Sequence, residues 1–202
     1  IESFTSRESG FLFNNVIFLV ICFAVFWGTI FPVLSEAVRG EKITVGAPFF
    51  NQVNVPIGLL LLLFTGIGPL LAWRRTSNQA FVRNFTLPIL TGLIVFIACF
   101  ILGIRNTTLV SFPLVGFVLT AILTEFQRGI RSRTSRFNES IFVALKTLIS
   151  KNRSRYGGYI VHLGIVFMFI GFSGNAFDSE LEFALKKGEV KEFDGYNFEL
   201  VS

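Results

Sequence analysis

The sequence predicts an all-α polytopic membrane protein: about five transmembrane helices, followed by the start of an extracytoplasmic β-domain. Three observations carry that reading. Of the 202 residues, 52% are hydrophobic and 15% aromatic, and the mean hydropathy is +0.65, outside the range of soluble globular domains. Five segments reach or approach the ~20 apolar residues that a bilayer crossing needs. Those segments are continuously apolar and do not alternate as barrel strands do, and in lipid only helices and closed barrels satisfy the backbone.

The spans fall at about residues 10–34, 56–73, 85–104, 109–126 and 157–177. Residues 1–177 are then the transmembrane region, and 178–202 begin the β-rich segment. The first span is too long for a cleavable signal peptide and has no small-residue cleavage site. The chain opens on Ile1 and stops as a polar segment gets under way, so it is read as part of a larger membrane protein.

Basic residues set the orientation. Arg74, Arg75 and Arg83 follow the second span, and eight Lys and Arg residues lie between Arg128 and Arg155, whereas only Arg105 separates the third span from the fourth. The positive-inside rule puts residues 74–84 and 127–156 in the cytoplasm, and residues 35–55 and 178–202 on the periplasmic, extracytoplasmic side. The net charge of +5 fits this crowding on one membrane face and calls for no nucleic-acid partner. Trp27 and Trp73 fall toward span ends, where interfacial aromatics gather.

Three stretches outside the spans carry structure of their own. In the first outward loop, Val45-Gly46-Ala47-Pro48 is expected to bend tightly, because proline restricts its predecessor and glycine frees the backbone. Phe49 and Phe50 then serve either as an interfacial anchor or as the wall of a pocket for a flat apolar ligand. In the long basic loop, Ile141-Phe142-Val143-Ala144-Leu145 with Leu148-Ile149 reads as a short amphipathic helix, held on the inner membrane face by anionic lipid. After residue 178, alternation around turns predicts strands at 180–185, 190–193 and 196–200, the last two joined by Asp194-Gly195.

Within the spans, chemistry is scarce. Cys22 and Cys99 lie inside apolar segments and read as small core residues; there is no C-x-x-C and no C-x-x-C-H. Arg7 and Glu8 are expected to pair or to cap the first helix, and Glu125 to sit near water, paired with Arg128. No nucleophile stands with a base, so no catalytic residue is assigned.

The exception is His162, the only histidine, in the stretch Arg155-Tyr156-Gly157-Gly158-Tyr159-Ile160-Val161-His162-Leu163-Gly164. An ionisable residue inside a span is a functional candidate by default, and neutral imidazole is a common ligand for haem iron. Gly157, Gly164 and Gly171 mark one helix face, where small residues let a neighbouring helix come close. On the other face the imidazole leans back over Gly158, which leaves room for a flat group. Two readings of His162 stay open: an iron ligand, or an interhelical hydrogen bond to a Ser, Thr or Asn. A transporter with a proton-relaying histidine calls for further ionisable residues in the spans, and there are almost none.

Several motifs taken together resemble the CcmF/NrfE family of cytochrome c-type biogenesis proteins. They are Ser6-Arg7-Glu8 with Phe11-Leu12-Phe13-Asn14-Asn15, Gly28-Thr29-Ile30-Phe31-Pro32, Val45-Gly46-Ala47-Pro48-Phe49-Phe50-Asn51, Gly66-Ile67-Gly68-Pro69-Leu70 and Tyr156-Gly157-Gly158-Tyr159-Ile160-Val161-His162-Leu163-Gly164. The resemblance runs in order over essentially the whole chain. It implies an inner-membrane component of a haem lyase complex, which delivers haem to apocytochrome c and attaches it alongside a haem chaperone and other maturation subunits. It further implies a haem b held between two transmembrane histidines. His162 matches the second of these and is the expected metal ligand, with Gly158 beside it in the cofactor-binding set. The first transmembrane histidine and the family's tryptophan-rich haem-binding segment match nothing in this chain, so the second axial ligand and ligation activity are expected from elsewhere. A non-catalytic assembly scaffold for a haem-handling complex is the alternative.

Overall fold

The structure is a computed structural model and describes residues 6–72, 76–174, 190–193 and 195–199. Five helices in it are long and apolar enough to cross a membrane. These are α1 (Arg7–Arg39), α2 (Ala47–Leu70), α3 (Asn78–Ile101), α4 (Thr108–Phe137) and α6 (Arg153–Gly174), with the short α5 (Ile141–Lys151) before the last. Their outward faces are apolar: Phe23, Leu93, Ile94 and Phe167 are each more than half exposed, which suits contact with lipid tails.

The helices outrun the apolar segments that announce them. α2 begins at Ala47, so the stretch expected to bend around Pro48 is instead a helix start. Proline is tolerated in a first turn, where its missing N–H has no helical partner to lose. α3 takes in Arg83, and α4 continues through the basic stretch to Phe137, where Asn138 closes it in a left-handed conformation at φ 52°. The amphipathic helix is α5. Its Ala144 and Leu148 are buried, while Ile141 and Phe142 are 65% and 85% exposed.

The first two spans form an antiparallel pair sealed at one end. Ser6 caps α1, its hydroxyl accepting the Ser9 N–H at 3.2 Å. Arg7 does not pair with Glu8 to do so. Its Nε and Nη2 donate to the carbonyls of Gly68 and Pro69 at 3.3 and 3.4 Å, and its N–H donates to Ala72 at 3.0 Å. Asn84 Nδ2 takes the Leu70 carbonyl at 3.0 Å. The closing carbonyls of α2, which a helix cannot satisfy itself, are thus met by one arginine and one asparagine.

α4 is the central helix, packed by α2, α3, α5 and α6. Its Val118, Ala121 and Ile122 are fully buried. Small residues allow the close approaches. A Cβ on Gly66 would lie 2.8 Å from the Phe117 ring and 2.9 Å from Val118, and one on Gly92 would lie 3.1 Å from the Pro113 carbonyl.

Beyond the spans, β1 (Val190–Phe193) pairs antiparallel with β2 (Tyr196–Glu199), Val190 opposite Glu199 and Phe193 opposite Tyr196. Gly195 between them has φ +79°, a left-handed conformation that hairpin turns use and glycine adopts without strain. The strand expected at 180–185, Trp73, Arg74, Arg75 and residues 175–177 of the last span lie outside the described residues.

Candidate functional site

His162 sits nine residues into α6, roughly 13 Å along its axis from Arg153 at 1.5 Å per residue. At about 100° per residue, Tyr159, Val166, Phe169 and Ser173 share its side of the helix. That stripe faces α4. Tyr159, Val166 and Ser173 are buried. Phe126 of α4 meets Tyr159 edge-on with ring centroids 6.0 Å apart. Higher on the stripe, Ser111 and Ser173 share a 2.6 Å hydroxyl contact, and Thr108 Oγ1 donates to the Ser173 carbonyl at 3.3 Å.

His162 itself is partly buried, and its Nδ1 is fully enclosed with no hydrogen-bond partner. No Ser, Thr or Asn among the described residues bonds to the ring. A buried nitrogen of this kind ordinarily has a partner, so the site holds an unmet valence for a hydrogen bond or a metal. Nothing stands within 4 Å of where a Cβ on Gly158 would lie, the imidazole included, so this flank of α6 is open and the ring does not rest on Gly158. Among the described residues no three His, Cys, Asp or Glu side chains converge. The described residues therefore offer a single imidazole, which suits a metal already held in a flat macrocycle better than an ion that draws all its ligands from side chains.

Gly157, Gly164 and Gly171 lie on the opposite side, and no described atom stands within 4 Å of a Cβ on any of them. The expected close helix contact on that face is therefore not made within the described residues. The glycines that do seat close neighbours are Gly28, Gly66, Gly92, Gly116 and Gly129. A Cβ on Gly28 would lie 2.8 and 2.9 Å from the rings of Phe50 and Phe49, and one on Gly129 would strike the Tyr156 hydroxyl.

Above the histidine, the stripe opens into a cleft of about 1000 Å³ between α2, α4 and α6, lined by Phe50, Asn54, Ser111, Phe169 and Ser173 among others. Asn54 Oδ1 is buried there without a partner. Phe50 thus has two contacts, with Gly28 of α1 and with the cleft. Below the histidine lies an ionic junction of which sequence reading found one half, the pairing of Glu125 with Arg128, and missed the other. Glu125 itself is only 7% exposed, gripped by Arg128 Nη1 at 3.1 Å and Arg155 Nη2 at 2.5 Å, whose side chains are 39% and 49% exposed. Arg155 Nε also donates to the Tyr159 hydroxyl at 3.1 Å. The available signal was an acidic residue at the edge of a span, which requires a basic partner; the spacing along the chain gave no way to choose Arg155, thirty residues on.

These features define a multi-pass helical membrane protein with one unpartnered histidine on a protein-facing stripe. In sequence, the chain is 32% identical over 197 residues to the cytochrome c-type biogenesis protein CcmF of Haemophilus influenzae and 29% identical over 199 residues to CycK of Bradyrhizobium diazoefficiens. It is 25% identical over 204 residues to NrfE of Haemophilus influenzae. Each match covers 96% of this chain and 29% of the relative. The chain is therefore a relative of the CcmF/NrfE cytochrome c-type biogenesis proteins across nearly its whole length, spanning 29% of theirs. No family model and no solved structure matches it.

Proposed function

We propose that this chain is a membrane portion of the machinery that matures cytochrome c, and that His162 supplies one axial ligand to a haem b in the bilayer. The observation that carries the reading is a partly buried imidazole inside a membrane-length helix, with no hydrogen-bond partner for its Nδ1 among the described residues. The relatives' shared description as cytochrome c-type biogenesis proteins supplies the context. The second axial ligand comes from residues outside this chain.

In this reading the helical region, residues 1–177, sits in the inner membrane with its basic ends in the cytoplasm. Residues 178–202 begin a periplasmic β-rich segment. A haem b bound here would supply electron transfer to incoming haem, passing on electrons from a reductant outside this chain. This chain's own residues hold and orient: α4 and the ring of Tyr159 fix the stripe, His162 presents its lone pair, and Gly158 keeps the flank clear. Loop residues 40–46, the start of α2 and the β-segment shape the outer surface where apocytochrome c, the haem chaperone and other maturation subunits meet the protein. Haem attachment itself is the work of the whole assembly, and this chain's part in it is to hold and orient.

The test is a reduced-minus-oxidised optical spectrum of the full membrane assembly, wild type against His162→Ala. The expected result is loss of the b-type band together with loss of cytochrome c maturation. An intact band removes the ligand role and leaves the assembly scaffold.

A further inference from the structure

We infer that the ionic junction at the base of α4, α5 and α6 is a binding site for the phosphate of an anionic phospholipid in the leaflet on the basic side of the membrane. A cleft of about 450 Å³ opens there, lined by Arg128, Ser132, Arg133, Asn152, Arg155 and Tyr156 among others. Its charge does not balance. Arg133 is spent on Glu139 through a two-pronged pair at 2.6 and 2.9 Å. Glu125 is one carboxylate facing two guanidiniums, Arg128 and Arg155. One positive charge is left over, and the Nε and Nη2 of Arg128 and the Nη1 of Arg155 have no acceptor among the described residues. Arg128 and Arg155 side chains are 39% and 49% exposed, so those donors are reachable. Planar guanidinium groups suit phosphate oxygens in geometry as well as charge.

The bilayer as the source of the phosphate is argued from α5. This helix forms one wall through Leu148, and its neighbour Asn152 forms another part. At its other end Phe142 and Ile141 are 85% and 65% exposed, an arrangement that places them in the acyl layer and holds the cleft at headgroup level. Basic residues at that level attract anionic lipid. The inference stands apart from the haem reading, since neither His162 nor Gly158 takes part.

The experiment uses the intact membrane assembly, stripped of lipid in detergent and supplied with phosphatidylglycerol, phosphatidylcholine or inorganic phosphate, with bound lipid read by native mass spectrometry. One phosphatidylglycerol should remain bound per chain, with at least tenfold preference over phosphatidylcholine. Arg128→Gln should cut that binding about tenfold, and Ser132→Trp, at an exposed position on the rim, should do so by filling the cleft without removing an ion pair. Equal retention of phosphatidylglycerol by wild type and Ser132→Trp would overturn the site. Displacement of the lipid by millimolar inorganic phosphate would overturn the lipid as its occupant and leave free phosphate in its place.

Discussion

Gly66→Ala should destabilise the bundle by about 1–3 kcal/mol, the usual cost of overpacking a filled interior, and Gly66→Leu should do more. The new Cβ would lie 2.8 Å from a Phe117 ring carbon and 2.9 Å from Val118 Cγ2. Neither neighbour can yield, since Val118 is fully buried and Phe117 nearly so. The shift must then be taken by α2 against α4, the helix on which the others pack. Two residues on, Gly68 offers the control: nothing stands within 4 Å of a Cβ there, and alanine is the better helix former by up to about 1 kcal/mol. Gly68→Ala should be neutral or stabilising. Thermal unfolding of the purified protein in detergent measures both, and equal behaviour of the two variants would contradict the packing described.

Glu125→Ala should cost about 1–2 kcal/mol. Removing one partner from a buried ion pair is expensive, but the figure is reduced here because Arg128 and Arg155 are partly exposed and water screens what is left of their charge. The consequence reaches further than stability. Arg155 lies two turns below His162 on the same side of α6 and ties that helix to α4 through Glu125, while its Nε holds the Tyr159 hydroxyl within α6. Losing the carboxylate removes the ionic tie between α4 and α6 and leaves the ring packing of Phe126 and the Ser111–Ser173 contact to hold them. A double-mutant cycle of Glu125→Ala with Arg155→Ala, read by the same unfolding measurement, should show the two losses to be far from additive, as for residues in one network. Additive costs would mean that the pair does not link the helices.

The spans were legible because their signal is collective: some twenty apolar residues in a row have one solution in lipid. Their ends were not. A helix runs past the hydrocarbon wherever its backbone bonds are met, so α2 starts at Ala47 beneath a proline and α4 continues through its arginines to Phe137. The family-like motifs were recognised one by one, and only the fold shows why they go together. Arg7 of the first motif satisfies the carbonyls of Gly68 and Pro69 in another. Gly28 of a third makes room for Phe49 and Phe50 of a fourth. His162 was found because one imidazole in an apolar run is conspicuous. Which residues share its side of the helix followed from periodicity; that this side faces α4, and that its Nδ1 has no hydrogen-bond partner, required the fold. The glycines at 157, 164 and 171 misled because a stripe of small residues permits a close neighbour without supplying one.

The central claim is that the enclosed imidazole of His162 serves iron. It is tested most directly by replacing His162 with glycine in the full assembly and recording the reduced spectrum with and without added imidazole. The account predicts that the b-type band disappears in His162→Gly and returns when free imidazole enters the vacated space. A band that survives the substitution unchanged would contradict it.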